Sequence, residues 1–131
     1  MAIYRARLPN CGRISGRNVL KIVVEAKVRM DAVQRDALLA GARRWIDGAL
    51  AEPGCQGYAW TADPFEADLV HIFEEWESEV GLAAHLVGPQ YLGMLKHVSE
   101  FGITDAVSRK FAVANEGPVY NAAGVATADF D

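Results

Sequence analysis

Histidines, one strand-borne glutamate and a set of tryptophans and tyrosines are the side chains here that could do chemistry. The constellation is Trp45, Tyr58, Trp60, Trp76 and Tyr91 with Glu74, His85 and His97. Residues 68–76 alternate as a strand, which puts Val70, Ile72, Glu74 and Trp76 on one face and Leu69, His71, Phe73 and Glu75 on the other. A carboxylate aimed into apolar space has a raised pKa, which suits a general base; at a rim, bonded to backbone or arginine, it is structural. His85 follows Leu82 by three residues on the helix side shared with Leu86, so it can reach the sheet. An imidazole there is either the natural proton acceptor near neutral pH or a satisfied core histidine. His71 points away from the face bearing Trp76, and His97, toward the edge of its helical face, is expected to be exposed.

Other chemistries lack their signatures. The sequence has no G-x-G-x-x-G and no G-x-x-x-x-G-K-S/T, so no familiar loop cradles a dinucleotide or triphosphate. The histidines are not at HxH or HExxH spacing, no serine sits in G-x-S-x-G, and two cysteines, Cys11 and Cys55, make neither a disulfide framework nor a metal motif. No metal or cofactor is expected on these grounds. Aromatic residues at core spacing pack a core as readily as they line a pocket, so the elements that carry them decide what they can do.

Those elements read βαββαβ. Residues 19–30 alternate, with Leu20, Ile22, Val24, Ala26 and Val28 facing one way and Lys21, Val23, Glu25, Lys27 and Arg29 the other. Asp31 with Gln34 has the D-x-x-Q form of a capping box, and Leu38, Ala42, Trp45, Ile46 and Ala49 then recur at helical spacing. Pro53-Gly54 ends that helix, residues 55–61 form a strand, and Asp63-Pro64 with Glu66 and Ala67 makes the hairpin connection to the strand 68–76. Ser78 suits the N-cap of a second helix, Pro89 the first turn of a continuation in which Tyr91, Leu95 and Val98 share a face, and residues 103–114 a closing strand. This pattern predicts a four-stranded antiparallel sheet with both helices on one face. The opposite face, carrying Leu69 and Phe73, would be bare in a monomer, so a homodimer is expected. Charges on that face (Lys21, Glu25, Lys27) either pair across subunits or are solvated at the rim.

At 131 residues and 51% hydrophobic content the chain suits one core. It divides into a basic extension, 1–18, a domain, 19–114, and a tail, 115–131, expected to be an extended arm or partly disordered. The extension holds Arg5, Arg7, Arg13 and Arg17 without an acid; the remainder sets nine bases against seventeen acids, which disfavours nucleic acid as a partner. No apolar stretch approaches the roughly 18 residues of a membrane span, and Arg and Pro interrupt the N-terminus, so a cytoplasmic protein is expected.

From Leu50 to Tyr91 the chain reads LAEPGCQGYAWTADPFEADLVHIFEEWESEVGLAAHLVGPQY. A helix ends in Glu52-Pro53-Gly54, one strand passes Tyr58 and Trp60, the next ends at Trp76, and a helix carrying His85 is broken by Gly88-Pro89. That order and those landmarks resemble the antibiotic biosynthesis monooxygenase family, at lower specificity over about residues 19–114. The resemblance implies a ferredoxin-like dimeric α+β barrel. It also implies an enzyme without a bound cofactor, in which a phenol, quinol or anthrone loses or shares its proton in a dry pocket and reduces dioxygen directly.

What the resemblance implies for residues follows the motifs. Trp76 matches the tryptophan that lines the family's cavity between sheet and helices, so Glu74 and Ile72 on its strand face would approach that cavity. His85 matches the histidine of an A-x-H-L-like segment, here Ala84-His85-Leu86. His85 or Glu74 would then be the base, Tyr58 or Tyr91 the oxyanion donor, and Trp60 and Trp76 the walls. Haem-degrading members also use an asparagine in the first strand and a histidine in the later helix, where this chain has Ala26 and Leu95, unless His97 substitutes. Other relatives are isomerases, and a small-ligand binding or isomerase role without oxygen chemistry remains the alternative.

Overall fold

The computed structural model describes residues 19–130; the basic extension, Cys11 and Asp131 lie outside the described residues. Its elements are β1 (Lys21–Met30), α1 (Arg35–Leu50), β2 (Cys55–Ala62), β3 (Leu69–Trp76), α2 (Glu79–Leu86), α3 (Pro89–Ser99) and β4 (Ile103–Val113). The sheet is antiparallel in the order β2-β3-β1-β4, the ferredoxin-like arrangement, with the helices on one face.

Strand parity sets the core. Ile22 and Val28 of β1 and Val70, Ile72, Glu74 and Trp76 of β3 turn inward and are buried, and register places Trp76 beside Ile22 and Ile72 beside Ala26. Two apolar clusters result. One gathers Ile22, Ala42, Ala49, Tyr58, Trp76, Leu82 and Met94, the other Val28, Met30, Leu38, Val70 and Ile72, and Trp60 packs against both. On α3 the buried residue is Met94, with Tyr91, Leu95 and Val98 only half-buried.

The element ends follow their local chemistry with two exceptions. Asp31 accepts a hydrogen bond from the Val33 amide at the head of a short 3-10 turn, Ala32–Gln34, and Gln34 returns no side-chain bond, so half of the expected capping box forms. Ser78 stands at the N-cap of α2 in extended geometry without a capping bond. Pro89 opens α3 as expected, since proline has no amide hydrogen to lose at a helix start. Asp63 accepts from the Phe65 and Glu66 amides and builds the β2–β3 turn.

On the outer sheet face Phe73 is 46% exposed, but Leu69 is only 2% exposed, which corrects the expectation that both lie bare. Leu69 starts β3 where its backbone is bonded to Asp63, Glu66 and the Arg35 guanidinium, so the turn encloses it despite its outward parity. Of the outer charges, Lys21 and Glu25 pair within the chain, and Lys27 is exposed. Lys21 donates to Glu75 (2.5 Å) and Glu116 (2.6 Å), and Arg109 to Glu25 (3.1 Å). The tail is a folded-back arm: the Asn121 side chain accepts from the Ala123 and Val125 amides, and Tyr120 bridges Ala126.

Glycines set the spacing of α1 and α3. A Cβ on Gly93 would lie 2.3 Å from the Trp45 ring, one on Gly48 2.1 Å from the Gln90 amide, and one on Gly41 2.5 Å from the His97 ring. Each helix thus seats side chains of the other in notches that only glycine leaves open. The two notches facing different side chains should respond oppositely to alanine. Trp45 is a rigid ring also stacked under Arg44 at 4.3 Å, so Gly93→Ala should cost about 1–3 kcal/mol of overpacking, more than the roughly 1 kcal/mol gained in helix propensity. Gln90 can swing away, so Gly48→Ala should be neutral or stabilising by up to about 1 kcal/mol. Urea unfolding of both variants checks the contrast, and equal losses would remove it.

Candidate functional site

The site is assembled where α1 ends and α2 begins. Pro53 cannot continue a helix, and Gly54 adopts φ +83°, a left-handed turn suited to glycine, so the chain reverses into β2 with Glu52 held at the corner. The Glu77 amide donates to the Gly54 carbonyl at 2.7 Å, tying that corner to the end of β3. Helix α2 then returns across Trp76. A Cβ on Gly81 would sit 3.2 Å from the Pro53 carbonyl oxygen and 3.4 Å from the indole, so this close approach leaves little space for a larger residue.

That approach buries His85 completely. Its ring lies 4.7 Å from the Trp76 ring, 5.5 Å from Tyr58 and 5.5 Å from Tyr91, centroid to centroid. Of the three, Tyr91 alone is partly exposed. Nδ1 of His85 is 3.0 Å from Glu52 Oε2, whereas Nε2 is buried with no hydrogen-bond partner. Glu52 Oε1 and the Trp60 indole nitrogen are likewise buried and unpartnered.

Glu74 meets Trp76 at the edge of the indole. The indole N–H donates to Glu74 Oε2 at 2.9 Å, and the carboxylate is 8% exposed. Burial raises its pKa, the Trp76 hydrogen bond and His85 oppose the shift, and the Glu52 charge adds to it. Burial likewise pushes the Tyr58 phenol and the Cys55 thiol up.

The sequence-derived candidates therefore separate. Glu74, Trp76, His85, Tyr58 and Tyr91 converge. Ile72 belongs to the second apolar cluster, and Trp60 spans the two. Trp76 is fully buried in the first cluster and lines neither of two surface grooves. One, of about 450 Å³, is bordered by Glu52, Pro53, Gly81, Ala84, Gly88 and Gln90; the other lies over Trp45 and His97 on the outer side of α1 and α3.

His71 bonds Asp63 at 2.7 Å, which is the leading reason that the Asp63 carboxyl falls to about 2. His97 is half-buried rather than exposed: its Nε2 donates to the Leu38 carbonyl at 2.8 Å, drawing the ring against α1, and that nitrogen is not free for iron. Among the described residues no group of three or more His, Cys, Asp or Glu side chains is arranged to hold a metal ion, and no helix is long and apolar enough to cross a membrane.

Sequence reasoning missed Glu52. It is separated from His85 by 33 residues, a contact that no periodicity reports. The signal available was its position, because an acid at a helix C-terminus opposes the helix dipole and calls for a hydrogen-bond donor.

Residues 21–96 match the sequence model described as Antibiotic biosynthesis monooxygenase. No curated protein matches the chain. Among solved structures, one from Deinococcus radiodurans, provisionally described as an antibiotic biosynthesis monooxygenase, superposes with TM-score 0.69 at 15% identity, covering 76% of this chain and 99% of that one. A provisionally described antibiotic biosynthesis monooxygenase from Nitrosomonas europaea gives 0.67 at 13% identity, over 76% and 95% of the two chains. A Bacteroides thetaiotaomicron protein of unknown function, described as a possible oxidoreductase, gives 0.65 at 22% identity, over 72% and 98%. These likenesses show a shared fold. With the family model spanning more than half of the sequence, the chain belongs to the antibiotic biosynthesis monooxygenase family and has that family's general monooxygenase-like character.

Proposed function

We propose that this chain is a cofactor-independent monooxygenase that oxidises a phenol, quinol or anthrone-like aromatic with dioxygen. The observation that carries this reading is His85 Nε2, a fully buried nitrogen without a partner inside a set of aromatic rings. An unmet buried polar atom costs about 1–3 kcal/mol, and an acidic hydroxyl on a flat aromatic would satisfy it while stacking on the rings. Partly exposed Tyr91 marks the side from which such a substrate approaches.

In this scheme Nε2 takes the substrate's proton, and the resulting anion gives electrons to dioxygen. For an anthrone, one oxygen atom ends as the new carbonyl, and the other leaves as water with the two hydrogens of the oxidised carbon. The Tyr91 hydroxyl is the available donor for the oxyanion, since the Trp76 N–H is already given to Glu74. Water is kept from the anion by Trp76 and Tyr58. The surroundings of His85 give the alternative, ligand binding or isomerisation, no distinguishing feature.

Oxygen uptake with a panel of quinols and anthrones, without added flavin or metal, tests the activity. His85→Ala should lower turnover about 10²- to 10⁴-fold while leaving the fold cooperative. Absence of uptake by the parent, or full activity in His85→Ala, would overturn the reading.

Glu74 has a different expected signature. Because its folded-state pKa is raised, the stabilisation linked to its protonated form is complete below the ordinary carboxylate range and is lost as pH rises through the raised value. Glu74→Gln keeps an acceptor for the Trp76 N–H and should melt above the parent at about pH 8, the gap closing by about pH 4. It should also keep most of the turnover; abolished turnover would make Glu74 the base instead.

The proposed enzyme is a homodimer joined through the outer sheet face, where Phe73, Val107 and Phe111 are exposed. Sedimentation at micromolar concentration should give twice the chain mass, and a concentration-independent monomer would exclude the dimer.

A further inference from the structure

We infer that Glu52 is a positioning residue for His85: its carboxylate accepts the Nδ1–H, fixes the tautomer that leaves Nε2 bare, and stabilises the imidazolium formed when Nε2 takes a proton. As a statement about the reaction it rests on the monooxygenase reading; as a statement about the imidazole it does not.

The geometry is specific. A neutral imidazole carries one N–H, and the nitrogen facing a carboxylate is the one that keeps it. Glu52 Oε2 stands 3.0 Å from Nδ1, and no acceptor meets Nε2, so the hydrogen belongs on Nδ1 and the lone pair on Nε2. Glu52 cannot easily leave. It is placed by the Pro53-Gly54 reversal and not by a flexible loop, and Gly81 packs against the Pro53 carbonyl.

Its side chain is 19% exposed against none for His85, because the groove bordered by Pro53, Gly81, Ala84, Gly88 and Gln90 opens on its outer side. The exposed part of that side chain borders the groove, while the carboxylate gives Oε2 to the buried ring and keeps Oε1 out of solvent. The groups facing His85 from the remaining elements are Tyr58 on β2, Glu74 and Trp76 on β3, and Tyr91 on α3, with Cys55 of β2 beside both glutamates. None of these is a hydrogen-bond partner of Nδ1; Glu52 is the group that meets it. The proton taken by Nε2 is returned to the oxygen that leaves as water, so Glu52 itself keeps no proton over the cycle.

Long-range proton–nitrogen correlation spectra of the nitrogen-15-labelled full chain, at a pH where histidines are neutral, read the tautomer without any substrate. The parent should show His85 protonated at Nδ1. In Glu52→Ala the hydrogen should move to Nε2, whereas Glu52→Gln, whose amide oxygen still accepts, should keep the parent tautomer. Turnover should fall further in Glu52→Ala, by up to about 10⁴-fold as for a triad histidine left in the wrong tautomer, than in Glu52→Gln.

An Nε2–H tautomer in the parent, or an Nδ1–H tautomer that survives Glu52→Ala, overturns the inference. If the parent shows no oxygen uptake, the functional reading fails while the tautomer still decides the role of Glu52. Correct tautomers with equal, unreduced rates in both variants reject Glu52 as a positioning residue for the reaction.

Discussion

Two carboxylates held on either side of a buried tryptophan–histidine stack are the constraint around which the rest of the molecule is arranged. Glu52 meets His85, His85 lies on Trp76, and Trp76 gives its N–H to Glu74. Groups of this kind cost free energy when they leave water, so the surrounding structure has to satisfy most of them and enclose them firmly. The end of α1, the end of β3 and the whole of α2 meet at this point. The glycines at positions 54 and 81 are what allow three backbones to come together over one indole.

The unequal treatment of the two glutamates follows from where they sit. Glu74 belongs to the central part of the sheet's inner face, where register sets it between Val24 and Tyr58, and its hydrogen-bond partner there is the Trp76 N–H. Glu52 occupies a corner whose outer edge borders the groove. Two like residues thus receive different surroundings from one architecture, and the same separation of environments is how protein folds assign acid and base roles to chemically identical groups.

Much of this was legible in the sequence, for identifiable reasons. The period of two in β3 placed Glu74 and Trp76 together, Pro53-Gly54 and Pro89 marked a stop and a start, and the histidine of α2 lay one turn from Leu82. Parity failed at Leu69 because a turn, and not the sheet, covers that residue. Helical phase misplaced His97 because its backbone acceptor lies on another helix. The partnership of Glu52 with His85 was invisible because it depends on how a chain reversal and a crossing helix meet in space. Strand β4 is a further case: its composition announces a strand, but only the assembled structure shows it exposed on both faces, beyond the cover that the helices give to β1, β2 and β3.

The glycine notches between α1 and α3 bear on how the molecule can breathe. Because the Trp45 and His97 rings are seated like pegs along the pair, neither helix can slide past the other without lifting both from their sockets. The pair is mechanically a single plate riveted over the sheet. Helix α2 is seated differently: it is 8 residues long, runs from the end of β3 to the Gly88-Pro89 break, and rests through Gly81 on the Pro53 carbonyl and the indole. The space around His85 is therefore set by how closely one glycine lets α2 approach the indole, and it is independent of the notches that fix the distance between α1 and α3.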